Sequence, residues 1–245
     1  MLTCRLYIQP PLTTEREITL DDEQGHYLRH VMRLRNGDPV ILFDGKGGEH
    51  EAIIHRLGKS GTVCHIGKHI PVSREMSCKT HIIQAACRGE KIEGVLQKGT
   101  ELGAASFQIV RTERSALKLA GNKLEARLKR WRKIVIEAAE QSGRTRIPSL
   151  HWCHSLAEIY FTGQSYAMHP LAAQTWTQAR KRISQTDEID FVIGPEGGLS
   201  ERDLDALTEM GCHTLLFGPR IMRTETAAPA LLAAIQAIQQ ETVLT

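Results

Sequence analysis

The sequence predicts an α/β protein in two parts, a small β-barrel over residues 1–72 and a parallel-sheet domain over residues 73–245. Three observations carry this. The first seventy residues hold short β-branched runs separated by glycine-bearing turns, the pattern of a small barrel. From residue 81 onward, strand-like runs alternate with helical periodicity, which implies a parallel sheet. Two apolar runs near the C-terminus, residues 190–193 and 214–217, each stop at a Gly-Pro dipeptide and then feed a helix.

In chain order, residues 4–9 read as a strand and residues 23–34 as a helix with Tyr27, Leu28, Val31 and Met32 at its apolar positions. Strand-like runs follow at 40–43, 51–57 and 62–66, parted by glycine-rich turns, one of them at Lys59 and Ser60. Residues 71–75 are the expected linker. The larger domain opens with a strand at 81–87 and a helix carrying Ile92, Val95 and Leu96, which Gly103 closes as a C-cap. A strand at 106–110 precedes the longest helix, 123–142. There Leu124, Leu128, Trp131, Val135 and Ala138 recur at three- and four-residue steps, so Trp131 belongs to the core. A weak strand at 164–168 leads to His169-Pro170, and residues 175–186 read as a basic polar helix or loop.

After the 190–193 run comes Gly194-Pro195-Glu196-Gly197-Gly198, and Ser200 caps the next helix with Asp203 at the capping-box position. After the 214–217 run comes a Gly218-Pro219 loop. Thr224 or Thr226 then caps an alanine-rich helix bearing Leu231, Leu232, Ile235 and Ile238. Two such units side by side bring glycine-bearing loops and fresh helix N-termini to one sheet edge, where small molecules bind in open α/β sheets.

Charge is unevenly spread. Residues 1–72 are neutral, 185–245 carry a net −7 and 73–184 a net +10, with nine Lys or Arg against two Glu between 111 and 133. A polyanion would therefore meet the middle of the chain. The six cysteines show no CxxC and no Cys–His ligand spacing, which predicts reduced thiols, no metal and a cytoplasmic location. No run approaches the ~18 apolar residues of a spanning helix, so no membrane partner is expected.

Several separated motifs resemble one family in order along the chain. They are GPEGGLS from Gly194, LLFGPRIMRTETA from Leu215, and a His26-to-Gly47 pattern through Val31-Met32-Arg33, Gly37-Asp38 and Asp44-Gly45. Lys91, Gln97-Lys98, Thr112-Glu113-Arg114-Ser115 and the stretch from Glu140 to Pro148 extend it. The chain is similar to the RsmE-type 16S ribosomal RNA uridine-N3 methyltransferases of the SPOUT superfamily. That resemblance implies a PUA-like β-barrel RNA-binding domain, then a trefoil-knotted SPOUT-type α/β methyltransferase domain that dimerises. Loops after Met168, Ile193 and Phe217 would fold over S-adenosylmethionine.

The cofactor set the resemblance implies is His169, Gly194, Glu196, Gly197, Leu216, Gly218, Ile221, Met222 and Thr224. The 216–222 loop would supply backbone groups and an apolar wall, and Glu196 a partner for ribose hydroxyls or the sulfonium. Methylating uracil N3 requires the base to be unpaired or flipped, the reacting atoms to be aligned and the N3 proton to be lost. Arg223 and Arg5 are candidates to stabilise the uracil anion and Glu225 to take the proton. Arg220, Arg223 and Glu225 could equally form a structural ion-pair set. RNA contacts are expected from Arg5, Arg29, Arg33, Arg111, Arg114, Lys129, Arg130 and Arg144, the partner being 16S rRNA in the small ribosomal subunit. Competing readings are a methyltransferase with another RNA target, and a non-catalytic RNA-binding or ribosome-assembly protein. A dinucleotide enzyme would want a GxGxxG after an N-terminal strand, which is absent.

Overall fold

A computed structural model describes residues 4–9, 11–58 and 61–239, so the turn expected at Lys59 and Ser60 lies outside the described residues. The chain forms two compact units. One runs to Glu75 and takes in Ala139–Ile147; the other comprises Met76–Ala138 and the residues from Pro148 on.

In the first unit, β1 (Arg5–Tyr7), β2 (Glu17–Leu20), β3 (Pro39–Phe43), β4 (Glu49–Gly58) and β5 (Gly61–Ile70) form one sheet in the order β1-β3-β4-β5-β2. Only β1 and β3 pair in parallel. Strand alternation sends Val40, Leu42, Ala52, Ile54, Cys64 and Ile66 inward, and Leu28 packs on them. The helix expected at 23–34 is broken. A helix α1 (Asp22–His26), capped by Asp21 in a capping box with Gln24, gives way to a π-helical turn at Tyr27–Val31. Met32 N–H reaches back five residues to the Tyr27 carbonyl, and Arg33 closes the segment at φ 56°.

The second unit is a six-stranded, all-parallel sheet in the order β11-β9-β10-β6-β7-β8. Its strands are β6 (Lys79–Ala85), β7 (Ser106–Val110), β8 (Ser149–Cys153), β9 (Gln164–Met168), β10 (Glu188–Ile193) and β11 (His213–Leu215). β6 and β10 are buried along almost their whole length, with the polar Thr80, His81, Gln84 and Asp190 enclosed among the apolar side chains. Ile82, Phe107, Tyr166 and Phe191 share one face by register. Phe107 meets α2 (Lys91–Glu101) at Gly99, and α6 (Thr224–Ile238) packs on α2 there. Ile83, Val110, Ala167 and Val192 share the other face with α5 (Glu201–Glu209). The long helix α3 (Gly121–Ser142) buries Trp131, 1% exposed, near Trp152 of β8. The basic segment after residue 175 is helix α4 (Trp176–Ile183), started by a Thr175–Gln178 capping box.

Gly103 closes α2 at φ 92°, and Ser200 caps α5 with Asp203 as its sequence spacing requires. All six cysteines are free thiols and buried.

Candidate active site

The carboxyl ends of β9, β10 and β11 lie side by side, because those strands are neighbours in the sheet and all point the same way. The loops leaving them surround a cavity of about 520 Å³, within the size range of small-molecule sites. Met168, Ile193 and Leu215 line it where the strands end.

Hydrogen bonds fix the three loops to one another. The Leu216 N–H donates to the Gln174 carbonyl and the Trp176 N–H to the Leu216 carbonyl, both at 2.9 Å, lacing the first loop to the third. His169 N–H donates to the Leu215 carbonyl at 3.0 Å, and its ring Nδ1 accepts from the Leu171 N–H at 3.3 Å. In the second loop the Thr224 hydroxyl donates to the Gly194 carbonyl at 2.7 Å, and Arg114 Nη1 donates to the Gly197 carbonyl at 2.9 Å. A Cβ on Gly194 would stand 3.0 Å from the Leu199 amide nitrogen, and Gly198 turns at φ 70°. Both glycines are therefore needed for this tight path.

Of the expected cofactor residues, His169, Gly194, Glu196, Gly197, Leu216, Ile221, Met222 and Thr224 line this one cavity. Gly218 turns the same loop at φ 75° just outside the lining. Leu216 differs from expectation in one respect: its N–H is taken by Gln174, so it has no amide to give a ligand. By contrast, the N–H groups of Phe217, Gly218, Ile221 and Met222 donate to no other described residue. Free amides around a cavity are a standing demand for acceptors.

Charge in the cavity centres on Lys91, the first residue of α2. Its Nζ lies 3.0 Å from Glu196 Oε1 and 3.9 Å from Glu225 Oε2, and the Arg88 N–H donates to the same Glu196 oxygen at 3.2 Å. Burial alone would raise the Glu196 carboxyl. Its own backbone amide, Lys91 and the Arg88 amide outweigh that and hold it below the ordinary glutamate value. The hydrogen bond to Glu196 raises Lys91 in turn. Glu225 is absent from the cavity lining, and its Oε2 is buried without a hydrogen bond. The ion-pair set considered for Arg220, Arg223 and Glu225 does not form. Glu225 faces Lys91 instead, while Arg220 and Arg223 line the cavity with no ion pair among the described residues.

Two expected RNA contacts need correction. Arg144 is 4% exposed, and its Nε and Nη2 both go to Glu75, so phosphate cannot reach it. Arg5, also a catalytic candidate, ion-pairs with Glu49, donates to the Arg144 carbonyl at 2.9 Å and lies over the Phe43 ring. Buried in this way, its guanidinium is a structural tie within the first unit. Arg114 lines the cavity. Arg130 is exposed but pairs with Glu93; Lys129 and Arg33 are exposed, Arg111 is half-buried, and Arg29 Nε meets His30 at 3.0 Å. Sequence reasoning missed Lys91 as a site residue. Its position at the helix start directly after a strand end was the available signal. Among the described residues no three His, Cys, Asp or Glu are placed to hold a metal ion, and no helix is long and apolar enough to cross a membrane.

Comparison with known proteins defines the class. Residues 74–236 match a family model described as an RNA methyltransferase domain, and residues 20–66 one described as an RNA methyltransferase PUA domain. The fold and the site are thus those of an RNA methyltransferase. More particularly, the chain belongs to the ribosomal RNA small subunit methyltransferase E family. The Bacillus subtilis protein of that name is 32% identical over 92% of this chain and 91% of its own length. A Neisseria gonorrhoeae member solved bound to S-adenosyl methionine is 31% identical with TM-score 0.88, covering 97% of this chain and 98% of its own. A Legionella pneumophila protein described as a methyltransferase, solved with the cofactor SAM, is 33% identical with TM-score 0.89 over 97% and 98% of the two chains.

Proposed function

We propose that the protein transfers a methyl group from S-adenosylmethionine to N3 of one specific uridine in 16S rRNA, acting in the cytoplasm on the assembled small ribosomal subunit. The observation that carries this is the three-loop cavity, with its unpartnered backbone amides and four lining cations. The amides of Phe217, Gly218, Ile221 and Met222 suit the acceptor atoms of an adenine and ribose, and Gly194 and Gly197 admit the methionine portion closely. When bound, the cofactor supplies an electrophilic methyl group; the chain's residues orient the base against it and exclude water. Arg220 and Arg223, unpaired at the cavity, suit phosphates flanking the flipped uridine. The parallel-sheet domain is read as trefoil-knotted and as the dimerising one. Leu171 and Ile221, 86% and 85% exposed beside the cavity, are apolar side chains that a partner copy or a ligand would cover.

The test supplies S-adenosylmethionine and small subunits from a strain lacking the endogenous enzyme, then identifies nucleosides by mass. N3-methyluridine on subunits but not on naked rRNA is expected. A different methylated nucleoside would move the target to another RNA position. Absence of both methylation and cofactor binding would leave only the RNA-binding reading.

A further inference from the structure

Lys91 is the cavity's one cation fixed between two carboxylates, and nothing in the reading above gives it a task. Arg114 is spent on the Gly197 carbonyl, whereas Lys91 Nζ lines the cavity with Glu196 beside it at 3.0 Å. Glu225 stands behind the ammonium at 3.9 Å, and its buried Oε2 has no hydrogen bond of its own. Cys87 is the other titratable neighbour, and its buried thiol is pushed up to about 12, so it stays neutral. The cluster of Lys91, Glu196 and Glu225 therefore holds a fixed donor and a fixed acceptor at the cavity wall. It carries one net negative charge.

Uracil's Watson–Crick edge is the complement of such a pair: an N–H donor at N3 flanked by carbonyl acceptors. Cytosine offers an acceptor at N3, which would oppose the carboxylate, and an amino donor at C4, which would oppose an ammonium facing that position. We propose that Lys91 and Glu196 read this edge, the ammonium donating to a carbonyl oxygen next to N3 and the carboxylate accepting the N3 proton. The inference rests on the uridine-N3 reading above. In the step, the N3–C bond forms as the S–C bond breaks. Sulfur keeps the electron pair as a neutral thioether, and the N3 proton passes to Glu196 and then to water. A carboxylate this acidic is a weak base, so its proton transfer accompanies methyl arrival. Lys91 lowers the barrier by stabilising charge on the carbonyl oxygen.

The test uses full-length wild type, Lys91→Met, Lys91→Arg and Glu196→Gln with mark-free small subunits. It measures single-turnover N3-methyluridine formation from pH 6 to about 9.5 and cofactor affinity by calorimetry. Lys91→Met should be about 100-fold slower near neutrality, with cofactor Kd within about twofold of wild type. Glu196→Gln, which removes the proton acceptor, should show a rate that climbs about tenfold per pH unit as solvent removes the N3 proton, while wild type is flatter. Lys91→Arg should regain part of the loss. A wild-type rate for Lys91→Met overturns the proposal. So does an equal loss at every pH with weakened cofactor binding, which marks a structural lysine. If wild type itself makes another nucleoside, the uridine-N3 reading falls first and this inference with it.

Discussion

Thr224 and Gly194, thirty residues apart, are joined by one hydroxyl: Thr224 Oγ1 donates to the Gly194 carbonyl at 2.7 Å and accepts from Gln84 Nε2 at 2.8 Å. The start of α6, the loop after β10 and the end of β6 thus share a single buried oxygen. Thr224→Val keeps the shape, leaves the Gly194 carbonyl without this donor and removes one of the two acceptors of the Gln84 amide, the Ala85 carbonyl remaining. Urea unfolding should show a loss of about 1–3 kcal/mol. Calorimetry should show S-adenosylmethionine binding weakened roughly tenfold, the equivalent of about 1.4 kcal/mol. An unchanged affinity would mean that the hydroxyl does not set the loop.

Gly194→Ala separates loop path from global stability. Its Cβ would press on backbone, 3.0 Å from the Leu199 nitrogen and 3.2 Å from the Gly198 carbonyl carbon, neither of which can swing aside. The loop must shift at a cost of about 1–3 kcal/mol. Cofactor affinity should therefore fall about tenfold or more, with the sheet's melting transition retained. Titration calorimetry paired with a thermal melt reads both quantities.

Acid should destabilise the first unit through Glu49. Burial raises this carboxyl, but hydrogen bonds from Arg74 and Arg5 outweigh it and hold Glu49 below its ordinary 4.5. The folded state thus prefers the ionised form. That stabilisation is complete above the unfolded value near 4.5 and is lost as pH falls through the lower folded value. Glu49→Gln should remove about 3 kcal/mol at pH 7, because two guanidiniums lose their buried partner. It should also flatten the decline in stability, seen by urea titration, as pH falls below the unfolded value near 4.5.

RNA affinity should distinguish Lys129 from Arg144. Lys129 is exposed on α3 without an ion pair among the described residues, whereas Arg144 is 4% exposed on Glu75. Lys129→Gln should lower the salt dependence of rRNA binding by about one counterion while leaving the melt unchanged. Arg144→Ala should cost about 3 kcal/mol of stability by stranding Glu75. The opposite pattern would put the RNA contact at the helix exit.

Much of this was legible in the sequence because apolar runs ending at Gly-Pro have few ways to fold. The strand ending at Ile193 and the Ser200 cap follow from that, whereas the run expected as a strand over 214–217 is one only over His213–Leu215. Less visible were β2 and β8. Glu17–Leu20 has two exposed positions and one buried, and Ser149–Cys153 is an edge strand with two exposed positions, so neither carries a strong apolar run. The helix at 23–34 is interrupted: Gly25 sits against Thr62, and the chain turns as a π-helix just beyond it. The arginines were misjudged for a deeper reason. Charge on a sequence looks solvated, and only tertiary structure shows that Arg5 and Arg144 close on Glu49 and Glu75. The same applies to Lys91, whose neighbours Glu196 and Glu225 are over a hundred residues away in the chain.

Burial of all six thiols gives the molecule a quiet chemical background. Cys87 and Cys212 are pushed up to about 12 and Cys4 to about 11, so thiolate is scarce at neutral pH as well as shielded. Ile221, 85% exposed on the cavity's third loop, can therefore be exchanged for the single maleimide-reactive position of the native fold. A fluorophore there would report, in real time and without radiolabel, each arrival and departure of cofactor or RNA.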